Sequence, residues 1–159
     1  LLDGYDVARP VLELALRWLR SNAAEPGTPV VVHGDFRVGN LIVGPEGIRA
    51  VLDWELAHLG EPAEDIGWLC TRSWRFGGPG RVGGVGDLAD LLAAYEAAGG
   101  AAVDPGQVRY WEVFGNLRWA GIAVAQAFTH LTGTRRSVEL AAIGRRVAEV
   151  EHDLMELLA

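Results

Sequence analysis

The spacing of apolar positions changes period along this chain. In residues 10–22, PVLELALRWLRSN, Val11, Leu14, Ala15, Trp18 and Leu19 recur at three- and four-residue steps. Pro10 suits a first helical position, so a helix is expected there. AEPGTP breaks it. Val30, Val31 and Val32 form a β-branched run, expected as a buried strand. Leu41–Val43 and IRAVLDW at 48–54 read as two more short strands, joined into a hairpin by GPEG. From residue 62 the pattern turns helical. PAEDIGWLCTRSW begins with Pro62 and places acids in its first turn. FGGPGRVGGVG at 76–86 is expected as a mobile glycine-rich loop. DLADLLAAYEAAGG follows as a helix, with Asp87 as N-cap and Gly99 as stop. The longest stripe, Tyr110, Val113, Phe114, Leu117, Gly121, Val124 and Phe128, predicts a helix over 104–130. A last helix is expected over about 136–158, and no internal repeat is visible.

Three short strands cannot build a sizeable sheet. The expected class is therefore α+β, predominantly helical. With 159 residues, half of them apolar, the chain suffices for one domain over 1–159. Its 14 basic residues are all Arg, against 21 acids, for a net charge of −7. An acidic, Lys-free chain without a basic run is unsuited to nucleic acid. The single cysteine, Cys70, forms no intrachain disulfide and suits a reducing cytoplasm as a buried, inert thiol. No run of 18 apolar residues predicts a membrane span, and LLDGYDVARP has no signal-peptide pattern. The missing initiator Met suits a fragment or a processed product. Nothing in the pattern sets an oligomeric state.

The polar stretch HGDFRVGN, at 33–40, lies between two apolar runs and carries more hydrogen-bonding chemistry than a turn requires. Asp35 follows one apolar segment and Asp53 ends another. If those strands are neighbours, the carboxylates approach and need a cation between them. Asn40 adds an amide oxygen five residues after Asp35. Two carboxylates and an amide make a hard-oxygen site, suited to Mg²⁺ rather than Zn²⁺, and a Mg²⁺ so held takes phosphate oxygens. That points to phosphoryl transfer.

HGDFRVGN followed by LDWE resembles the catalytic loop and metal-binding strand of the aminoglycoside phosphotransferase and choline kinase family, relatives of the protein kinases. Asp35 to Asn40 reproduces the D-x-x-x-x-N spacing. The resemblance implies a kinase-like C-terminal lobe whose small hairpin carries these segments. It implies Asp35 as catalytic base, Arg37 as a contact of the transferred phosphate, and Asn40 and Asp53 as magnesium ligands. His33 and Asp65 would brace the loop. Asp65 reads equally as an ordinary first-turn helix acid, and His33 as a buried scaffold histidine. Trp68, Arg72 and Trp74 are candidates for a substrate pocket. The implied activity is that of a bacterial, cytoplasmic, ATP-dependent kinase acting on a hydroxyl of a small molecule.

The family's N-terminal lobe supplies a Lys that pairs with the nucleotide phosphates. This chain has no Lys and no G-x-x-x-x-G-K-[ST]. The expectation is a C-terminal lobe lacking its nucleotide-binding partner, inactive by itself. The alternative is a kinase-like binding module that no longer catalyses. Between Ile66 and Val85 there is no acid but there are Arg72, Arg75 and Arg81. That composition disfavours a polycationic aminoglycoside and suits an anionic or neutral acceptor. Some members of this family connected with acyl-CoA processing phosphorylate hydroxyacyl compounds.

Overall fold

The computed structural model describes residues 8–23 and 27–159. It is mostly helical, with ten named elements in the order α1 (Pro10–Ser21), β1 (Val30–Val32), β2 (Leu41–Gly44), β3 (Gly47–Val51), β4 (His58–Gly60), α2 (Pro62–Cys70), α3 (Leu88–Ala97), α4 (Pro105–Leu131), α5 (Val138–Arg145) and α6 (Val147–Leu158). No helix among the described residues is long and apolar enough to cross a membrane. The chain sorts into two compact units, 1–22 with 113–159, and 23–112. Helix α4 contributes residues to both.

In the unit formed by 1–22 and 113–159, α1 packs on α6 and α5 packs on α6. The buried face of α1 is Leu12, Ala15 and Leu19. Leu14, expected in that stripe, is half exposed, and Leu12 takes its place one step round the helix. The expected last helix is broken at Arg146, whose N–H bonds Ile143 O and starts α6 afresh. Bare Gly144 lies against Ala127, a contact that a side chain there would fill. On α4 the buried positions in this unit include Val113, Asn116, Ala120, Ala123 and Val124, while Phe114 and Phe128 reach solvent. The real stripe is thus smaller in side-chain size than the aromatic one read from the sequence.

In the unit of 23–112 the sheets are two separate antiparallel pairs, β1 with β4 and β2 with β3. The expected hairpin is present, but IRAVLDW pairs only as far as Val51. The strand β4 is too short, at three residues, to show a period. The buried strand expected at 30–32 is only half that: Val32 is buried and Val31 is 69% exposed. The hairpin turns Ile42, Val43 and Ile48 to solvent as well. The core lies instead between helices, with Ala63, Ile66, Leu69 and Cys70 of α2 against Val82, Leu88 and Val108.

The glycine-rich segment has internal backbone pairing that the sequence did not signal. It folds on itself through the isolated bridges Gly80–Gly84 and Val82–Gly86. Val82, Gly83 and Gly84 are buried, and Gly83 N–H donates to Leu69 O at 3.2 Å. A methyl on Gly83 would lie 2.6 Å from Val38 Cγ2, so glycine lets this segment close against the polar stretch at 33–40.

Candidate active site

The polar stretch is assembled by backbone geometry first. Gly34 turns the chain out of β1 at φ +79°, and a methyl there would sit 2.5 Å from Leu56 O. Asp65, in the first turn of α2, closes this turn. Its carboxylate accepts His33 N–H at 2.6 Å and Gly34 N–H at 2.9 Å. Asp65 therefore braces the loop while occupying a position that favours acids at a helix start. His33 is buried, and its Nδ1 accepts the Asp35 N–H at 3.1 Å. That leaves Nε2 to carry the proton and donate to Leu52 O at 2.7 Å. His33 thus ties the loop to the chain leaving β3, and its ring lies 4.7 Å from that of Trp54.

The Asp35 carboxylate is half-buried and surrounded by donors. Trp68 Nε1–H reaches Oδ1 at 2.7 Å, Asn40 Nδ2 reaches Oδ2 at 2.8 Å, and Arg37 Nε lies 3.3 and 3.2 Å from the two oxygens. Asn40 Nδ2 also donates to Asp35 O at 2.9 Å, locking the five-residue span. The Arg37 guanidinium sits 5.1 Å over the Trp74 ring, and Trp74 lies 5.1 Å from Trp68. Trp68 and Trp74 are buried and form the wall behind Asp35 and Arg37; Arg72 is exposed.

The hairpin sets the backbone at Asn40 beside the chain that leads into Asp53. Leu41 faces Val51 across β2 and β3, and Leu52 N–H donates to Asn40 O at 2.8 Å. Asp53 comes next, exposed and in the left-handed conformation at φ 69°, which Asp tolerates better than most residues. With Asn40 Nδ2 turned to Asp35, its Oδ1 accepts no hydrogen bond from a described residue, and neither does the Asp53 carboxylate. An amide oxygen and a carboxylate at adjoining strand ends are hard-oxygen donors of the kind a hard divalent cation takes. No three His, Cys, Asp or Glu side chains gather as a metal site among the described residues.

One charge argument from the sequence changes. Glu112 of α4 is buried and holds both Arg75, at 2.9 Å, and Arg81, at 2.7 Å. Arg75 also donates to Cys70 O at 2.8 Å. Two of the three arginines between Ile66 and Val85 therefore share one carboxylate, which offsets one of their two charges. Sequence reasoning missed Glu112 and the Trp68 bond to Asp35; the only signal was an acid within an apolar helical stripe and a Trp one turn past Asp65.

The chain and its fold have known counterparts. A family model described as the phosphotransferase enzyme family matches residues 1–128. A solved structure from Ralstonia eutropha, provisionally named an aminoglycoside phosphotransferase, superposes with a TM-score of 0.73 at 26% identity, covering 96% of this chain and 50% of that one. The macrolide 2'-phosphotransferase MphH of Brachybacterium faecium shares the fold, with a TM-score of 0.54 at 22% identity over 93% of this chain and 44% of its own. Acyl-CoA dehydrogenase family member 10 of Mus musculus is 43% identical over 63 residues, 38% of this chain and 6% of that protein. The chain thus spans half or less of each of these relatives. On the match over residues 1–128, the chain belongs to the phosphotransferase enzyme family.

Proposed function

We propose that this chain is the acceptor- and metal-binding half of an ATP-dependent phosphotransferase acting on a hydroxyl of a small molecule. The observation that carries the reading is the Asn40 bond to Asp35, together with the Leu52 N–H bond to Asn40 O that sets the chain at Asp53 beside the same loop. Asp35 would orient the acceptor hydroxyl and take its proton as the oxygen attacks. Arg37 would meet the transferred phosphate, and Asn40 and Asp53 would hold Mg²⁺, which neutralises phosphate charge. His33 and Asp65 keep the loop in register for that task. The nucleotide-holding Lys would come from residues beyond this chain, which has none. In this reading residues 1–159 correspond to a kinase-like C-terminal lobe.

The acceptor we infer is a hydroxyacyl compound. Support comes from the mouse relative, whose name places it among acyl-CoA dehydrogenases. Glu112 offsets one of the two charges on Arg75 and Arg81, so the acceptor class rests chiefly on that kinship.

The test uses the longest natural polypeptide that contains this chain. Transfer of label from γ-labelled ATP would be followed with 3-hydroxybutyryl-CoA, choline and kanamycin, each with and without Mg²⁺. Label should pass to the hydroxyacyl compound in the presence of Mg²⁺, and Asp35→Asn should lower kcat by about 10²- to 10⁴-fold. Turnover by Asp35→Asn above a tenth of the parent rate would remove the base assignment.

A further inference from the structure

We infer that Trp68 is a positioning residue for the catalytic base: its indole N–H sets the orientation of the Asp35 carboxylate. The inference rests on Asp35 being that base.

Three donors reach this carboxylate, and they differ in kind. Arg37 Nε is on a long side chain that is partly open to solvent, and its contacts are the longest, at 3.3 and 3.2 Å. A guanidinium that also meets a phosphate must share itself between two anions. Asn40 reaches Oδ2 at 2.8 Å, but its amide has a second task in the proposed metal site. Trp68 has neither competing duty. Its indole is a donor only, with a single N–H, and that N–H makes the shortest of these contacts, 2.7 Å to Oδ1. It adds no charge beside the base.

The ring is also the stiffest of the three supports. Trp68 is 5% exposed, lies within α2, and packs at 5.1 Å and 56° against the buried Trp74 ring. A Trp side chain has only two rotatable bonds, fewer than the Arg37 side chain carries. Helix α2 also carries Asp65, which holds the backbone of His33 and Gly34. One short helix therefore fixes the base at both ends, main chain through Asp65 and carboxylate through Trp68. The indole holds Oδ1 while Asn40 holds Oδ2, so the plane of the carboxylate is set from two sides.

Two measurements test this. In the isotopically labelled chain, the Trp68 indole N–H resonance is assigned by its loss in Trp68→Phe. It should lie downfield in the parent and move upfield in Asp35→Asn. The Asp35 Hα–Hβ couplings should report one χ1 rotamer in the parent and averaged rotamers in Trp68→Phe. Site-specific benzothienylalanine at 68 repeats the measurement, since it keeps the outline of the ring and replaces the N–H by sulfur. A single Asp35 rotamer in both variants would overturn the inference, leaving Trp68 as packing alone. In the longer polypeptide with Mg-ATP and 3-hydroxybutyryl-CoA, the benzothienyl variant should lose about tenfold in kcat with KM unchanged. An unchanged kcat overturns it as well. Retained turnover by Asp35→Asn would instead remove the base assignment, and the rotamer measurement would still decide whether Trp68 orients the carboxylate.

Discussion

At the scale of single residues, the spacing from Asp35 to Asn40 was readable because its chemistry is local: the loop closes on itself through Asn40 Nδ2 and Asp35 O. The side chains that finish the site come from far away in sequence, as with Trp68, 33 residues on. No periodicity marks such a partner. Glu112 is a similar case, since an acid one turn past Val108 in an apolar helix reads as a solvent-facing residue, and only the fold shows it 1% exposed between two guanidiniums. Removing its charge leaves Arg75 half-buried without an anion. Glu112→Gln should therefore lower unfolding free energy by about 2–3 kcal/mol, below the value for a fully buried pair because Arg81 reaches solvent. Urea denaturation of the two proteins checks this, and a loss under about 0.5 kcal/mol would mean the arginines are solvated in solution.

At the scale of elements, start and stop signals performed well where they were chemical. Asp87 caps α3 by accepting Ala89 N–H at 2.7 Å, and Pro10 and Pro62 open α1 and α2. They failed where the cause was tertiary. Glycine richness at 76–86 suggested mobility, yet these glycines serve close approach of backbone to backbone and to Val38. The break at Arg146 carries no Pro, so the period runs through it unmarked. Trypsin can separate these cases, because every basic residue here is Arg. Arg81 lies in the bridged segment and is held by Glu112, while Arg135 and Arg136 are exposed in the turn after α4. Brief native digestion should cut at Arg135 or Arg136 well before Arg81. Mass spectrometry of the first fragments reads the order, and early cleavage at Arg81 would restore the mobile-loop reading.

For the whole molecule, the class was legible as mostly helical with a small hairpin, since composition and period set it. The division into two compact units was not, because α4 carries one unbroken period through residues of both. Global stability has an alkaline limit that Cys70 imposes. Burial, with the nearby Glu112 carboxylate adding to it, pushes this thiol up from 9.0 to about 12. The unfolded thiol therefore loses its proton above about pH 9 while the native one keeps it. The Cys70 contribution is complete below pH 9 and falls by about 1.4 kcal/mol per pH unit until about pH 12. Thermal unfolding of Cys70→Ala against the parent should show the parent losing relative stability from pH 9 to 11, and parallel curves would place the thiol in contact with water. The outward face of the β2–β3 hairpin has a consequence of a colloidal kind. Ile42, Val43 and Ile48 are apolar side chains open to water, and in dilute solution near neutral pH the net charge of −7 keeps copies apart. As pH falls toward the isoelectric point near 5.0 that repulsion vanishes, and exposed apolar side chains such as these become the contacts through which copies associate.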